Sequence, residues 1–166
     1  MPNDVFRAID AALVLGVEDA TSPEGAIADS LVTEYDLSNA VGRLRNLAIA
    51  VSSDLKPFYE IGKRYPTHLR PGVIRISGQA ERAHVNGALL RLLLGEGAVS
   101  PPPGPNFVQP VFNIVARLND PARPEQSSTV TVFGVKFDSW NYHIPGDDFV
   151  MEAVSFQALR LAFEET

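Results

Sequence analysis

Apolar and polar residues alternate with a period of two along much of this chain. In the segment VIRISGQAERA (73–83), Ile74 and Ile76 point to one side, as in a strand with one face in water. The residues that point to the opposite side are Arg75, Ser77, Gln79 and Glu81. Segments 40–55, 107–118, 128–137 and 148–163 also predict strands, because they alternate or are rich in β-branched and aromatic residues. A helix is possible at 40–55, but the Ile-Ala-Val-Ser-Ser ending and the following Pro57 favour a strand. The pattern predicts a mainly antiparallel β domain whose sheet edges must be closed, covered or paired with another chain.

One helix is predicted among the strands. Asn86 is a good N-cap, and the run GALLRLLLGEG then reaches Gly95 and Gly97, which suit a left-handed helix stop. Leucines cover nearly the whole circumference, and Arg91 is the one charged residue among them. A helix this apolar must be buried on most sides, by its own sheet or by a neighbouring subunit.

Length and composition predict a single domain over residues 1–166. Residues 18–37 are acidic and weakly patterned, so we expect them to form an arm or a long loop. The proline-rich run at 100–105 and the segment 119–128 predict loops. The chain has no cysteine, which excludes disulfides and thiolate chemistry, and no run approaches the roughly 20 apolar residues of a membrane helix.

Charge is distributed unevenly along the chain. Residues 1–40 hold eight acids and one base, residues 41–137 hold twelve bases and six acids, and residues 138–166 hold six acids and one base. A chain that is acidic at both ends and basic in the middle can complement copies of itself. Chance clustering on a solvated surface explains the same counts.

The loop EIGKRYPTHLRPG (60–72) carries the most conspicuous positive charge. Two prolines stiffen it between two predicted strands. Such a patch can neutralise nucleic-acid phosphates, but the chain has a pI near 5.0 and no recognisable reading helix. Contact with acids of a neighbouring subunit is therefore the better interpretation. The residues predicted to make that contact are Lys63, Arg64, Tyr65, His68 and Arg70.

The sequence contains no convincing catalytic, cofactor or metal pattern. Of the three histidines, His143 lies near Asp147 and Asp148, and a metal site or a small hydrolase can be imagined there. The spacing matches no metal motif, and Pro145 and Gly146 make the segment a turn. A glycine-rich phosphate loop and a nucleophile elbow are also missing. The sequence therefore predicts no enzyme, no cofactor and no metal.

Two blocks of the sequence resemble tail tube proteins of tailed bacteriophages. In residues 58–95, a Tyr-Glu-hydrophobic-Gly turn leads through an Arg-x-Pro loop into a strand of the form Gly-x-x-x-x-Ser-Gly, an Arg and a short Leu-rich helix. In residues 130–161, a strand ends near an aspartate, an Ile-Pro turn follows and the last strand carries Phe-x-Ala. Together the blocks cover somewhat less than half of the chain.

The resemblance implies a β-sandwich or half-barrel protomer that completes a closed inner barrel when six copies form a ring. Stacked rings make a hollow conduit in the virion tail, through which genomic DNA is ejected into the host without specific binding. The implied partners are other copies of the chain, the tape measure, the baseplate or tip, the terminator and, in a contractile tail, the sheath. Assembly in the host cytoplasm is implied, with no membrane and no cofactor.

The resemblance also implies a lumen wall that is largely polar and acidic. An acidic wall repels phosphate, whereas a basic wall binds it. The candidates for this wall are the exposed faces of two strands. They are Ser77, Gln79 and Glu81 on one strand, and Val130, Val132 and Lys136 on the other if that strand is turned toward the lumen.

Two other functions stay open at this point. The first, from the same structural class, is an inner-tube or tube-adaptor subunit of a contractile injection system. The second is a β-sandwich that binds nucleic acid or carbohydrate through the basic loop at 60–72 and its tyrosines.

Overall fold

The described part of the protein is built mainly from β-strands, with two α-helices between them. The computed structural model describes residues 5–39, 41–100 and 107–165. The elements are β1 (Ala11–Gly16), α1 (Pro23–Glu34), β2 (Leu44–Ser53), β3 (Lys56–Phe58), β4 (His68–Arg70), β5 (Ile74–Ala83), α2 (Ala88–Leu94), β6 (Phe112–Asn119), β7 (Ser127–His143), β8 (Met151–Ala158) and β9 (Arg160–Glu165). Short 3₁₀ turns occupy Ala8–Asp10 and Gly95–Ala98. Neither α-helix is long and apolar enough to cross a membrane.

Strand β7 organises the fold, because its two halves belong to different wings of one curled antiparallel sheet. Residues 128–133 lie between β6 and β9, whereas residues 136–143 pair with β8. The strand order is β1-β6-β7-β8-β5-β2, with β9 beside the first half of β7. We call β1, β6, β9 and the first half of β7 the first wing, and β2, β5, β8 and the second half of β7 the second wing.

A glycine lies at the junction between the two halves of β7. Gly134 has a φ of 65°, and a Cβ atom at this position would stand 2.7 Å from side-chain atoms of Leu159. Other residues adopt this backbone conformation only with strain. Gly134 therefore allows β7 to pass from one wing to the other, so that the predicted half-barrel fold is confirmed.

The hydrophobic core lies between the two wings. Ile114 and Val132 of the first wing and Phe156 of the second are buried in one continuous cluster. Phe112 and Phe137 meet edge to face, with ring centroids 4.9 Å apart. Burying a side chain of this size contributes about 1.5–3 kcal/mol. Period-two burial along both wings thus explains the alternation that the sequence shows.

Helix α2 forms where the sequence predicts it and packs against β7. Ala88, Leu89 and Leu92 are buried, whereas Leu94 is exposed, so the sheet of the same chain covers one side of the helix and part of its flanks. Gly87 occupies the N-cap position predicted for Asn86. The Asn86 side chain still accepts a hydrogen bond from the Ala88 backbone N–H at 3.1 Å.

The arm or long loop predicted at 18–37 is replaced over much of its length by helix α1. The Ser22 hydroxyl accepts a hydrogen bond from the Gly25 N–H at 3.0 Å, and Pro23 follows at the first helical position. The buried residues recur at helical spacing and are Gly25, Ala28, Leu31 and Val32. Acidic residues on the exposed side of the helix conceal this pattern in the sequence.

The remaining strand predictions differ from the structure mainly at their ends. The segment 148–163 forms two strands, because the chain breaks at Leu159 and crosses from the second wing to the first. The Leu159 N–H donates to the Phe133 carbonyl at 3.0 Å, which holds this crossing in place. Strand β6 begins at Phe112, after Pro110. Residues 101–105 of the proline-rich run lie outside the described residues.

Candidate functional site

The face of the second wing that points away from the core is polar and lined by small side chains. In the sheet register, Gln79 lies between Ala48 and Ser155, and Ser77 lies between Ala50 and Gln157. Ser77, Gln79 and Glu81, all predicted to face the lumen, therefore share this surface. We call it the polar face. It also carries Asn46 and Ser52 of β2, Ala153 of β8, and Ser139 and Asn141 of β7.

A carboxylate on the polar face is held by two neighbouring side chains. The Ser155 hydroxyl donates to Asp138 Oδ1, and Gln157 Nε2 donates to Asp138 Oδ2 at 3.1 Å. The hydrogen bond from the Ser155 hydroxyl is the largest influence on the pKa of Asp138, and it lowers that pKa. Partial burial acts in the opposite direction, but the bond from the Gln157 amide lowers the pKa as well, so that it lies below its ordinary value. The polar face therefore keeps this negative charge at neutral pH.

Among the described residues, the strand register places two acids and two bases on the polar face. The acids are Glu81 and Asp138, and the bases are Arg75 and Lys136. Lys136 lies at the edge of the face, where its Nζ is 3.3 Å from a carboxylate oxygen of Glu24 in α1. The polar face as a whole is therefore close to neutral.

Val130 and Val132, the two other candidates on the strand of Lys136, lie on the opposite side of the sheet. Val132 is fully buried in the core, and Val130 packs against the core beside it. Both belong to the first half of β7, which lies in the first wing. Their prediction as lumen-facing residues is wrong, because the first half of β7 turns its apolar side inward.

The second wing ends in two unpaired strand edges. Among the described residues, β2 pairs with β5 alone, and the second half of β7 pairs with β8 alone. In the first wing, Leu37 and Val41 cover the β1 edge, because the Leu15 N–H donates to the Leu37 carbonyl and the Val41 N–H donates to the Leu13 carbonyl. At the other side of the first wing, β9 pairs with β7 alone among the described residues. Unpaired edges present rows of N–H and C=O groups to a strand of another chain. The second wing can therefore be extended on both sides.

Residues 54–73 form an arm that continues β2 and β5 beyond the sheet. Strands β3 and β4 pair in it as a short hairpin. At its tip the Lys63 N–H donates to the Glu60 carbonyl at 3.1 Å, and Gly62 has a φ of 85°, which the turn requires. The Thr67 N–H donates to the Phe58 carbonyl at 3.0 Å. The arm is therefore shaped by its own hydrogen bonds.

The arm brings together the five residues predicted to contact a neighbouring subunit, which are Lys63, Arg64, Tyr65, His68 and Arg70. All of them are exposed, and within the described chain none of the cations among them forms an ion pair. Large apolar side chains stand exposed beside them. Ile61 is fully exposed and Tyr65 is 77% exposed. Apolar side chains that are exposed together mark an interaction surface.

The turn between β7 and β8, residues 144–150, lies at the other end of the second wing. Ile144 is 65% exposed and Phe149 is 78% exposed, and Asp147 and Asp148 beside them are exposed as well. No hydrogen bond or ion pair joins His143 to Asp147. Over the described parts of the chain, no three His, Cys, Asp or Glu side chains are grouped so that they could hold a metal ion.

A buried charge cluster lies near this turn, and the sequence patterns do not predict it. Glu152 accepts hydrogen bonds from Arg82 Nε at 2.6 Å and from Trp140 Nε1 at 3.0 Å. Within the alternation, Glu152 shares its side of β8 with Val154, and Arg82 shares its side of β5 with Ala80. Charged residues on the core side of two strands are the signal that could have revealed this pair.

Comparison with known proteins finds likeness in structure alone. No protein-family model and no curated protein sequence matches the chain. A chain of the sheath/tube terminator of the PVC extracellular contractile injection system superimposes with a TM-score of 0.64 at 12% identity, over 98% of this chain and 98% of that one. The tube-terminating cap of the anti-feeding prophage gives 0.64 at 10% identity, over 100% and 95%.

The tail tube of SPP1 has the same fold. Its TM-score is 0.56 at 10% identity, over 98% of this chain and 80% of that chain. The similarity therefore extends across almost the whole of this chain, although about one residue in ten is identical. This chain has the fold of subunits found in phage tail tubes and in the tubes of contractile injection systems.

Proposed function

We propose that this chain is a structural subunit of a tail tube, and that its copies form rings which stack into a hollow conduit. The observation that carries this proposal is the second wing, which is polar on one face and unpaired at both strand edges. A fold shared with tube and tube-terminator chains supports the same assignment. An isolated protomer leaves these edges without partners, and assembly satisfies them.

Ring formation follows from the two different edges of the second wing. The edge of β2 in one copy would pair with the second half of β7 in the next copy, which is a contact between unlike surfaces. Repeating this contact from copy to copy gives a ring when the successive rotations add up to one full turn. Four strands from each of six copies would then continue around one inner barrel, as the resemblance to tail tube proteins implies.

The polar face would line the lumen of this barrel. Ser77, Gln79 and Glu81 would point inward, and Lys136 would lie at the rim beside Glu24. A wall of small polar groups with balanced charge offers no basic stripe that would hold phosphates. Genomic DNA would pass along it without specific binding.

The tube would be assembled in the host cytoplasm and would work in the virion tail. Its partners there would be the tape measure, the baseplate or tip, the terminator and, if the tail contracts, a sheath.

A tube-terminating or inner-tube subunit of a contractile injection system is the second candidate. The TM-scores of 0.64 to the PVC terminator and to the anti-feeding prophage cap, against 0.56 to the SPP1 tail tube, favour it. The two candidates share ring formation. They differ in stacking, because a tube subunit must bind its own copies on both sides of the ring, whereas a terminator ends the stack.

Electron microscopy and size-exclusion chromatography of the purified chain test both candidates. A tube subunit is expected to give rings and stacked tubes of uniform width. A terminator is expected to give single rings, alone or at the end of a tube formed by another protein. A species that stays monomeric at high concentration would contradict the proposed function in both forms.

A further inference from the structure

We infer that the arm (residues 54–73) of one copy binds the β7–β8 turn (residues 144–150) of a copy in the adjacent ring. This contact rests on the proposed function and names the surfaces that would join one ring to the next. Both segments belong to the same chain and are exposed in the protomer. Their charges are complementary, and both carry exposed apolar side chains.

The two segments lie at opposite ends of the second wing. At one end Ser53 pairs with Ile74, and the arm continues from these residues. At the other end Ala83 pairs with Met151, which pairs with His143 just before the turn. The ten residues of β5 span roughly 30 Å between these ends. Copies stacked head to tail along the strand direction therefore bring an arm to the turn of the next copy.

The charges of the two segments are opposite. The arm holds four bases and two acids, and the turn holds two acids and no base. Lys63, Arg64 and Arg70 form no ion pair within the described chain, and neither do Asp147 and Asp148. Groups left unpaired in the protomer are available for a neighbour, and complementary charge sets the orientation of docking.

The acidic N-terminal segment is a less suitable partner for the arm, because several of its carboxylates already have a cation. In the N-terminal part of the described chain, four acids are paired with a base. The pairs are Asp10 with Arg7, Glu18 with Arg160, Glu24 with Lys136 and Glu34 with Arg91. In contrast, Asp148 accepts a local hydrogen bond from the Phe149 N–H at 2.7 Å.

Apolar side chains accompany the charges on both segments. On the arm, Ile61 and Tyr65 are exposed near the basic residues, and on the turn Ile144 and Phe149 flank the two aspartates. Removing these side chains from water would favour the contact, and the surrounding charges would give it specificity. The arm also needs little ordering on binding, since its hairpin is already formed.

Charge reversal on each segment tests the contact. We expect Arg64→Glu with Arg70→Glu, and separately Asp147→Lys with Asp148→Lys, to shorten the tubes at least fivefold while rings persist. Combining all four changes should restore tube length to within about twofold of the unchanged chain. The control is Arg117→Glu, at an exposed residue of β6 that forms no ion pair within the described part of the chain, and it should leave tube length unchanged. Circular dichroism checks that each variant is folded.

Cross-linking gives a second and independent readout, because the chain has no cysteine of its own. Tyr65→Cys combined with Phe149→Cys should give a ladder of disulfide-linked chains in assembled tubes under oxidising conditions. Tyr65→Cys combined with Asn119→Cys is the matched control and should give none, since a disulfide requires Cα atoms about 4.4–6.8 Å apart.

The outcomes separate this inference from the proposed function. The contact is wrong, and the proposed function stands, if the unchanged chain forms tubes but Asp147→Lys with Asp148→Lys leaves the tubes intact. The same conclusion follows if the variant that combines all four charge reversals fails to restore tube length. Equal cross-linking of the control pair would also overturn the contact. If the unchanged chain forms neither rings nor tubes, both are overturned.

Discussion

Arg82 and Glu152 form an ion pair inside the protein, with 2.6 Å between Arg82 Nε and Glu152 Oε1. Their side chains are 2% and 0% exposed. Asn86 Oδ1 accepts from Arg82 Nη2 at 3.0 Å, and Trp140 Nε1 donates to the second oxygen of Glu152. The pair thereby joins β5, β7 and β8 at the end of the second wing where the β7–β8 turn begins.

Removing one partner of this pair should destabilise the protein strongly. Glu152→Ala leaves the Arg82 charge buried without a counter-charge, and we expect the free energy of unfolding to fall by about 3–5 kcal/mol. Urea unfolding followed by circular dichroism measures the change. The control is Glu164→Ala, an exposed residue of β9, which should change stability by less than about 0.5 kcal/mol. A loss below about 1 kcal/mol for Glu152→Ala would contradict the role assigned to the pair.

A glycine in β5 should tolerate no side chain. A Cβ atom on Gly78 would lie 2.4 Å from the Ala48 carbonyl oxygen and 2.4 Å from Cζ of Phe156. We expect Gly78→Ala to destabilise the fold by about 1–3 kcal/mol, since the backbone of β2 and a core ring would both have to move. Gly16→Ala in β1 meets no atom within 4 Å and should be close to neutral. Thermal unfolding of both variants checks the difference, and equal midpoints would refute it.

The hydroxyl of Ser155 should control the titration of Asp138. The pKa of Asp138 lies below its ordinary value of 3.8 because Ser155 and Gln157 donate to its ionised form. The unfolded chain therefore binds this proton more readily. The ionised carboxylate therefore adds to the free energy of unfolding above about pH 3.8, and this contribution is lost as the pH falls through the lowered pKa. In Ser155→Ala the pKa of Asp138 should rise, as followed by NMR titration of its carboxyl carbon.

The control for this titration is Ser139→Ala, which removes a hydroxyl that contacts Ser155 rather than Asp138. It should shift the pKa of Asp138 less than Ser155→Ala does. An unchanged pKa in Ser155→Ala would show that the hydroxyl does not hold the carboxylate.

Positive charge on the polar face should make an assembled tube retain DNA. We expect tubes of Ser77→Lys with Gln79→Lys to bind double-stranded DNA at low salt and to release it as salt rises. The control, Asn119→Lys with Thr129→Lys, adds the same charge to the first wing, and DNA should stay outside those tubes. Nuclease protection in assembled tubes is the measurement. Equal protection in both variants would argue against the polar face as the lumen wall.

The fold class and most strands were predictable because alternation is a local property of the chain. The segment at 73–83 predicts β5 almost to the residue, and the leucine-rich run predicts α2. Helix α1 was not predictable in the same way, because Asp29 and Glu34 on its exposed side obscure a buried stripe of small and apolar residues. A hydrophobic pattern is hard to recognise in a segment that also carries several charged residues.

The candidate site was predictable in part for the same reason. The alternation placed Ser77, Gln79 and Glu81 on one face, and the prolines and cations marked the arm. Val132 was misplaced because β-branched residues on a strand predict the strand and leave its orientation open. The break at Leu159 was missed, since the chain there crosses between wings in a region that is apolar on both sides.

The sequence by itself determined that the chain folds into strands with one apolar side, ends its leucine-rich helix at a glycine and carries positive charge on a loop between two strands. Only the tertiary structure decided that Arg82 and Glu152 meet in the interior, that both edges of the second wing are unpaired in the described chain, and that the basic arm and the acidic turn lie at opposite ends of that wing. These relationships depend on strand order and register. Residues far apart in the chain establish both, and the period of a single segment does not encode them.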